Sequence, residues 1–280
     1  MYRDAVDLRE FYRTSLGQVA QRMIRRRIRE FWPELRGQTV LGLGYATPYL
    51  RLFRQEADQV LAVMPASQGV VFWPPEGPGS VTLADEAELP LEDMSVDRVL
   101  VVHCLEGADK IRAMMREIWR VLAGGGRLLI VVPNRSGVWA RIERTPFGHG
   151  RPYSASQLRQ MMREHLFVPE RSARALFVPP INSRFLLASA PAWEEIGERW
   201  FERFAGVTIV EASKQLYAAP LNRVSVPARR RFAVPVPGRA EPATPRSVSD
   251  ELNSAAASPT AGEAGTPPAR RIGSPSDPRC

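Results

Sequence analysis

Short apolar segments that alternate with helical patterns constrain the fold of this chain more than any other feature. Five such segments lie in the first half of the sequence, and a helix or turn pattern follows each of them except the third. Alternation of this kind predicts a parallel β-sheet joined by crossover helices. Residues 99–102 and 128–132 are apolar at every position, which is typical of central strands covered on both faces. The predicted strands comprise residues 39–43, 59–63, 80–83, 97–102 and 127–132.

The segments that follow continue the α/β pattern. Apolar residues recur at helical spacing from 111 to 122, and the glycine run 124–126 predicts a C-terminal cap and a turn. Three prolines and two glycines within residues 73–79 require a loop. Ser154 is placed to cap a helix that runs to about residue 165. Beyond it we predict a strand at 168–178, a helix at 193–204, and a last strand at 207–217, at or near a sheet edge.

The N-terminal region predicts one amphipathic helix over residues 7–32, because this stretch lacks proline and its apolar residues form a stripe. We favour a helix that caps the domain over a lid on a substrate pocket or a surface for anionic partners. From about residue 221 the chain is mostly Pro, Ala, Ser, Arg, Gly and Thr, which predicts a disordered tail. The predicted organisation is a capping helix at 1–36, an α/β domain at 37–219 and a tail at 220–280.

Composition narrows the class of protein. The net charge is +8, but only Lys110 and Lys214 are lysines, so the basic excess resembles a compositional bias towards arginine and disfavours a nucleic-acid partner. Cys104 and Cys280 are too far apart in the sequence to favour a structural disulfide. With neither a signal peptide nor an apolar run of about 18 residues, the sequence predicts a soluble cytoplasmic protein without a transmembrane segment. No pair of cysteines or histidines has metal-ligand spacing, so no metal is predicted.

Two stretches in the middle of the chain carry a family resemblance. Residues 84–91 read Ala-Asp-Glu-Ala-Glu-Leu-Pro-Leu, and residues 97–100 read Asp-Arg-Val-Leu. Residues 105–106 are Leu-Glu, and residues 116–128 read Arg-Glu-Ile-Trp-Arg-Val-Leu-Ala-Gly-Gly-Gly-Arg-Leu. This order resembles the core of class I S-adenosylmethionine (SAM)-dependent methyltransferases of the type 11 kind, across residues 39–217.

The resemblance implies a Rossmann-like α/β fold, with a seven-stranded, mostly parallel sheet and helices on both faces. It implies SAM as the cofactor, bound at the carboxyl ends of the strands. It also implies that Asp85 accepts a hydrogen bond from the adenine amino group, while the backbone around Ala84 and Glu86 helps to hold the ring. The loops that end near Gly44, Met64 and Asp85 must then surround one pocket able to hold an adenosyl group.

The chain departs from the family in the cofactor loop. The family reads Asp-x-Gly-x-Gly-x-Gly, whereas here Gly42 replaces the acid, Gly44 remains, Ala46 replaces the second glycine and Pro48 replaces the third. Met64 stands where the family carries an acid for the ribose hydroxyls, which removes a bond worth roughly 1.5–3 kcal/mol. We therefore expect Met64→Asp to tighten SAM binding by about one to two decades. The predicted cofactor-binding residues are Gly42, Gly44, Tyr45, Ala46, Met64, Ala84, Asp85, Glu86 and His103.

No catalytic motif is obligatory for methyl transfer, which needs mainly alignment of the two reacting groups. The candidates for catalysis are His103, just past the fourth strand, and His149 or Tyr153, which lie in a loop resembling the family's substrate-side loop and are placed to act as a general base. The favoured hypothesis is a SAM-dependent methyltransferase that acts on a small-molecule or lipid-like acceptor. The alternatives are a non-catalytic binding or regulatory protein of the same fold that has lost SAM affinity, and an RNA or DNA methyltransferase. The tail and the N-terminal helix are the candidate surfaces for a protein partner.

Overall fold

The computed structural model describes residues 4–215, and the predicted tail lies outside this range. The strands are β1 (Thr39–Gly44), β2 (Gln59–Pro65), β3 (Val81–Ala84), β4 (Val96–Val102), β5 (Leu122–Pro133), β6 (Phe167–Ala175) and β7 (Val207–Lys214). They form one sheet in the order β3-β2-β1-β4-β5-β7-β6. The first five strands are parallel to one another, and β7 runs antiparallel between β5 and β6. The predicted fold class, a mostly parallel seven-stranded sheet of the Rossmann-like kind, is confirmed.

Helices cover both faces of the sheet. They are α1 (Ala5–Arg13), α2 (Ser15–Phe31), α3 (Thr47–Leu50), α4 (Ile111–Val121), α5 (Ala155–Glu164), α6 (Arg184–Ala188) and α7 (Ala190–Trp200). Alternate residues of the central strands enter different buried clusters: Val40 joins the cluster that contains α2, whereas Leu41 joins the cluster that contains α4. The sheet is therefore buried on both faces, as parallel sheets are. Among residues 4–215, no helix combines the length and apolar character needed to cross a membrane.

The N-terminal region contains two helices, so the prediction of one continuous helix over 7–32 was wrong. Thr14 separates them: its backbone is extended (ψ 157°), and its hydroxyl accepts a hydrogen bond from Gly17 N at 3.0 Å, which caps α2. At the same corner, a Cβ on Gly17 would lie 2.0 Å from the Phe11 carbonyl oxygen. The chain therefore turns sharply here, and α1 and α2 lie against different parts of the domain.

The end of α2 is fixed to the far side of the sheet by a buried carboxylate. Glu211 of β7 is fully buried, and it accepts hydrogen bonds from Trp32 Nε1 at 2.9 Å and from Arg171 Nε at 2.9 Å. The Arg171 guanidinium also lies over the Phe31 ring, 4.8 Å from its centroid. One charged and one neutral donor therefore compensate for the burial of the Glu211 carboxylate. These contacts fix the C-terminal end of α2 against the sheet.

Two further predictions have clear outcomes. Ser154 caps α5 with a complete capping box, in which Gln157 N donates to the serine hydroxyl and the Gln157 side chain accepts from Ser154 N. The glycine run 124–126, predicted as a turn, instead belongs to β5, which begins directly after α4 at Leu122. Gly126 is needed there because an added Cβ would lie 2.6 Å from the Leu122 side chain.

Candidate functional site

The turn after β1 requires the one glycine that matches the family's loop. Gly44 has φ +79°, and a Cβ at this position would lie 2.4 Å from the Val102 carbonyl oxygen and 2.6 Å from Cys104 Cβ. Only glycine takes this conformation without strain and leaves room for so close a neighbour. The turn therefore packs directly on the carboxyl end of β4, where His103 lies.

The substituted loop positions are explained by packing. Gly42 pairs with Ala62 and Leu100 inside the sheet, and a Cβ on it would lie 2.5 Å from Leu50 Cδ1 and 2.8 Å from Ala46 Cβ. The α3 turn thus fills the space that an acidic side chain at residue 42 would occupy. Pro48 lies in the first turn of α3, where its missing N–H costs nothing.

The end of β2 is closed and largely apolar. Met64 is fully buried, in the same cluster as Ala5 and Leu8 of α1. Four residues further on, the Gln68 side chain is also buried, and its amide nitrogen donates to the His103 carbonyl oxygen at 2.7 Å. Gln68 Oε1 has no hydrogen-bond partner, so it is a buried acceptor facing this edge of the sheet without a donor.

His103 is held in a buried chain of hydrogen bonds. Its backbone is left-handed (φ 50°), and its Nδ1 lies 3.2 Å from Glu106 Oε1. Because a carboxylate only accepts, Nδ1–H donates to Glu106 and Nε2 is left as an acceptor. Nε2 lies 2.8 Å from the hydroxyl of Tyr12, which also lies 2.8 Å from the hydroxyl of Tyr49. The imidazole is therefore oriented for proton acceptance at Nε2.

Tyr12 is the contribution of α1 to this site. Its ring stacks on Tyr45 with centroids 5.8 Å apart, and both rings are buried. Burial raises the pKa of Tyr12 well above its ordinary value, and burial also raises the pKa of Tyr45 to about 12. Both phenols are therefore neutral at physiological pH, and the Tyr12 hydroxyl can donate to His103.

Helix α1 covers the carboxyl ends of three strands. At its start, Ala5 N donates to the Gln68 carbonyl oxygen at 2.8 Å, after β2. At its end, Tyr12 contacts Tyr45 after β1 and His103 after β4. This is the edge where open α/β sheets bind ligands, so α1 has the position of a lid, whereas α2 has the position of a cap on the sheet face.

The segment after β3 presents an accessible acid. Asp85 has a half-exposed side chain, accepts a hydrogen bond from Ala87 N at 2.9 Å and lies 3.6 Å from Lys110 Nζ. The bond from Ala87 N, followed by the Lys110 charge, lowers the pKa of Asp85. Glu86 beside it is buried, and Ala84 ends the strand. Asp85 is thus an ionised acceptor at the crevice rim.

The same segment is anchored by α4. Glu117 Oε2 accepts from Leu89 N at 3.0 Å, and Arg120 donates to the carbonyl oxygens of Leu89 and Leu91 at 2.9 and 2.8 Å. Arg120 also pairs with Glu117 at 2.8 Å. The acidic Leu-Pro segment is therefore fixed by two charged side chains that the sequence motif contains.

The other two catalytic candidates lie in different settings. His149 Nε2 donates to the Glu143 carbonyl oxygen at 2.6 Å, which directs it into its own loop. Tyr153 is half-buried, and burial followed by the Glu106 charge raises its pKa. Gly150 allows this loop to approach, because a Cβ on it would lie 2.5 Å from the Glu106 carbonyl oxygen. The structure thus brings Tyr153 towards the His103–Glu106 pair.

The carboxyl edge of the sheet offers polar partners for an adenosyl group, but side chains of the protein fill the space between those partners. The Gly44 turn, the Asp85 carboxylate and the unpartnered acceptor Gln68 Oε1 are groups that such a ligand uses. Tyr12 and Met64, however, are 7% and 0% exposed, so the crevice is occupied by side chains of the chain itself. The residues fit the group only when α1 is displaced. Sequence reasoning missed Tyr12 and Gln68, and it used Glu106 only as part of a motif.

Comparison with known families and curated proteins agrees with the motif. Residues 36–130 match the family model described as a methyltransferase domain. The chain is 29% identical over 114 residues to a demethylmenaquinone methyltransferase of Tropheryma whipplei (strain Twist). That match covers 41% of this chain and 41% of the relative, so the chain spans well under half the length of this curated relative.

Solved structures share the fold at low sequence identity. A SAM-dependent methyltransferase from Archaeoglobus fulgidus matches with a TM-score of 0.50 and 16% identity, over 69% of this chain and 94% of that one. A chain of the complex between the Haloferax volcanii Trm112 methyltransferase activator and the putative methyltransferase matches with a TM-score of 0.50 and 17% identity, over 76% of this chain and 95% of that one. At sequence identities this low, the two comparisons show a shared fold alone.

Proposed function

Residues 36–130 match the methyltransferase-domain model, and on this ground we propose that the described domain is a class I methyltransferase and that the protein transfers a methyl group from SAM to a small-molecule acceptor. The observation that carries the proposal is the His103–Glu106 pair, which lies at the carboxyl end of β4 against the Gly44 turn. A base oriented by a carboxylate beside the cofactor loop is suited to activate an acceptor hydroxyl.

The proton chemistry follows from the tautomer. Glu106 keeps Nδ1 protonated, and Nε2 accepts the proton of whatever hydroxyl lies beside it. The Tyr12 hydroxyl, 2.8 Å away, holds that position in the closed arrangement. An acceptor hydroxyl in its place would pass its proton to Nε2, which would leave the acceptor oxygen as the nucleophile. When bound, SAM supplies the electrophilic methyl group, and Gly44 and Asp85 are the residues that would hold it.

A cavity near this pair supports a small acceptor. It has a volume of about 420 Å³, and Phe11 lines it. Phe11 contacts Phe147, whose ring centroid lies 5.0 Å from that of His103, so one aromatic layer separates the cavity from the base. Its other lining residues are Thr14, Leu16, Ile142, Arg144, Thr145, Pro180, Ile181 and Asn182. A mostly apolar wall with few polar groups is typical of small-ligand sites, and the quinone-related name of the curated relative agrees with such an acceptor.

Calorimetric titration with SAM and its demethylated product tests the cofactor step. We expect weak binding to the wild type and binding at least about tenfold tighter to Tyr12→Ala, because truncation empties the space that the ring fills. Val6→Ala, on the exposed face of the same helix, is the matched control and should bind like the wild type. If none of the three proteins binds either compound at millimolar concentration, the methyltransferase proposal fails.

The burial of Tyr12 favours one alternative function. A ring packed in the core, with both of its hydroxyl contacts inside the protein, is what a non-catalytic protein of this fold would retain after the cofactor was lost. In that case Tyr12→Ala lowers stability without creating SAM affinity. The same titration, with urea unfolding of each variant to verify folding, therefore separates the two functions.

A further inference from the structure

An arginine-lined groove lies outside the crevice, between α2, the segment after α3 and the loop at residues 71–79. It comprises two adjoining cavities of about 690 and 260 Å³, which share Arg51, Arg54 and Glu76. The first is also lined by Arg25 and Arg29 of α2. Arg9 and Arg13 of α1 line the second. Six guanidinium groups therefore face one concave surface, which we call the arginine groove.

Acidic side chains neutralise only part of this charge. Glu76 lies 3.3 Å from Arg51 and 3.6 Å from Arg54. Glu56 pairs with Arg29 at 2.6 Å, and Glu10 pairs with Arg9 and Arg13. Six guanidinium groups against three carboxylates leave three positive charges on the groove.

Part of the excess positive charge of the arginine groove lies at Arg25. Within residues 4–215 it has no acidic partner, and it lines the larger cavity. Partial burial, then the charges of Arg29 and Arg51, lower its pKa. Like charges gathered around a cavity repel one another, and a bound anion removes that repulsion. The unpaired guanidinium therefore marks the place for an anionic group.

An aromatic and proline-rich wall adjoins the charges. Trp73 is 8% exposed and lies under the Arg54 guanidinium, 5.7 Å from ring centroid to Cζ. Phe72, at 62% exposure, presents an uncovered ring in the same loop, with Pro74 and Pro75 following. The groove thus combines guanidinium donors with an apolar surface that suits a flat group.

We propose that the arginine groove binds a small phosphorylated ligand whose phosphate lies among Arg25, Arg29 and Arg51 and whose flat or apolar group lies against Phe72 and Trp73. A guanidinium group can donate two parallel hydrogen bonds to one phosphate, and the volumes of these two clefts suit a small molecule. The site does not depend on methyl transfer, so it stands whether or not the crevice binds SAM.

Titration calorimetry at low ionic strength, with inorganic phosphate, inorganic pyrophosphate and 1-naphthyl phosphate, tests the site. We expect pyrophosphate to bind more tightly than phosphate, and naphthyl phosphate to bind about tenfold more tightly than phosphate, because its rings contact Phe72 and Trp73. Phe72→Ala, which removes the exposed ring, should abolish the advantage of naphthyl phosphate and leave pyrophosphate binding unchanged. All three affinities should fall as salt is added.

Matched charge variants assign the phosphate position. Arg25→Ala should weaken pyrophosphate binding by about tenfold or more, since it removes a charge-assisted hydrogen bond. Arg26→Ala on the same helix, which pairs with Glu30 and does not line the groove, should bind like the wild type. Glu76→Gln should strengthen binding several-fold, because it frees Arg51 and Arg54 from their carboxylate.

Four outcomes would overturn the proposal. The first is the absence of binding for all three compounds at low salt, and the second is an equal loss in Arg25→Ala and Arg26→Ala. The third and fourth concern other sources of phosphate. Single-stranded RNA that binds without competition from pyrophosphate would assign the surface to a nucleic acid, and vesicles containing anionic lipid that bind in the same manner would assign it to a membrane.

Discussion

The hydroxyl oxygen of Tyr12 lies 2.8 Å from Nε2 of His103, and this contact joins the N-terminal helix to the carboxyl end of β4. The same oxygen contacts the Tyr49 hydroxyl, so one phenol satisfies two buried polar groups. Removing a buried partner costs more than the net value of the bond, because the remaining group loses its solvation without replacement. The contribution of this contact between α1 and the sheet edge can therefore be measured as the change in the free energy of unfolding when the hydroxyl is removed.

We expect Tyr12→Phe to lower the free energy of unfolding by about 1–3 kcal/mol, because both His103 and Tyr49 lose a partner. Tyr49→Phe should cost less, since Tyr12 keeps its bond to His103. Tyr153→Phe is the control: its side chain is half-buried, its hydroxyl has no hydrogen bond to residues 4–215, and the cost should be within about 0.5 kcal/mol. Urea unfolding measures all three, and equal values for Tyr12→Phe and Tyr153→Phe would contradict the buried chain of bonds.

Tyrosine ionisation provides a second prediction. Burial raises the pKa values of Tyr12, Tyr45 and Tyr49 above the ordinary 10.0, with that of Tyr45 at about 12. Between pH 10 and 12 the folded state keeps protons that the unfolded state releases, so the free energy of unfolding falls as pH rises through this range. Ultraviolet absorbance of tyrosinate should show these residues ionising only with unfolding. Half-ionisation of these three tyrosines in folded protein near pH 10 would show that the rings are exposed.

The strands were predictable because their signal is local. Residues 99–102 and 128–132 are apolar at every position, and the structure places them in β4 and β5 at the centre of the sheet. The helix at 111–122 was predicted for the same reason and is confirmed as α4 (Ile111–Val121). A strand that is buried on both faces is apolar at every position. Its signal is therefore visible in the sequence without knowledge of distant contacts.

The break between α1 and α2 and the contents of the crevice were harder to predict. The helical spacing of apolar residues continues on both sides of Thr14, so the sequence pattern shows no break there. An N-cap hydrogen bond such as that of Thr14 stabilises a helix by only about 1 kcal/mol, and this signal is weaker than the apolar periodicity. Tyr12 meets His103 across 91 positions of the chain, and no local pattern carries that information. Tyr12 was therefore missed, whereas Gly44 and Asp85 were proposed as site residues because the family motif contains them.

Gly44 provides a test of the turn after β1 that does not depend on any ligand. Gly44→Ala adds a Cβ at 2.4 Å from a backbone oxygen in a left-handed conformation, so we expect a loss of at least about 3 kcal/mol. Gly37 has a similar φ of +70° and nothing within 4 Å of an added Cβ, so Gly37→Ala should cost only about 1–2 kcal/mol. Urea unfolding of the pair isolates the contact with β4, and equal losses would contradict it.

The Glu117–Arg120 pair should make the free energy of unfolding depend on pH in the acidic range. Hydrogen bonds from Arg120 lower the pKa of Glu117, so the folded state favours the carboxylate more than the unfolded state does. Its stabilisation is present above the ordinary pKa of 4.5 and is lost as pH falls through the lower, folded value. Glu117→Gln should cost about 2 kcal/mol at neutral pH and progressively less in acid. Glu88→Gln, at an exposed site in the anchored segment, should leave the pH profile unchanged in urea unfolding.

The burial of Met64 determines what an acidic side chain at this position would cost. The sequence alone predicts that Met64→Asp tightens SAM binding, but Met64 is fully buried in the cluster that contains Ala5, Leu8 and Tyr12. A carboxylate in this apolar cluster loses its hydration, so we expect the free energy of unfolding to fall by at least about 3 kcal/mol. Met64→Leu, which conserves volume, should cost less than about 1.5 kcal/mol.

The double variant Tyr12→Ala with Met64→Asp separates the two effects. Truncation of Tyr12 admits water to the end of β2, so the added acid should be tolerated better than in the single variant. If the ribose of SAM lies at this strand end, the double variant should also bind SAM about one to two decades more tightly than Tyr12→Ala alone. Urea unfolding and calorimetry measure the two quantities separately. Equal SAM affinity in both backgrounds would show that the ribose lies elsewhere, even if the lid does open.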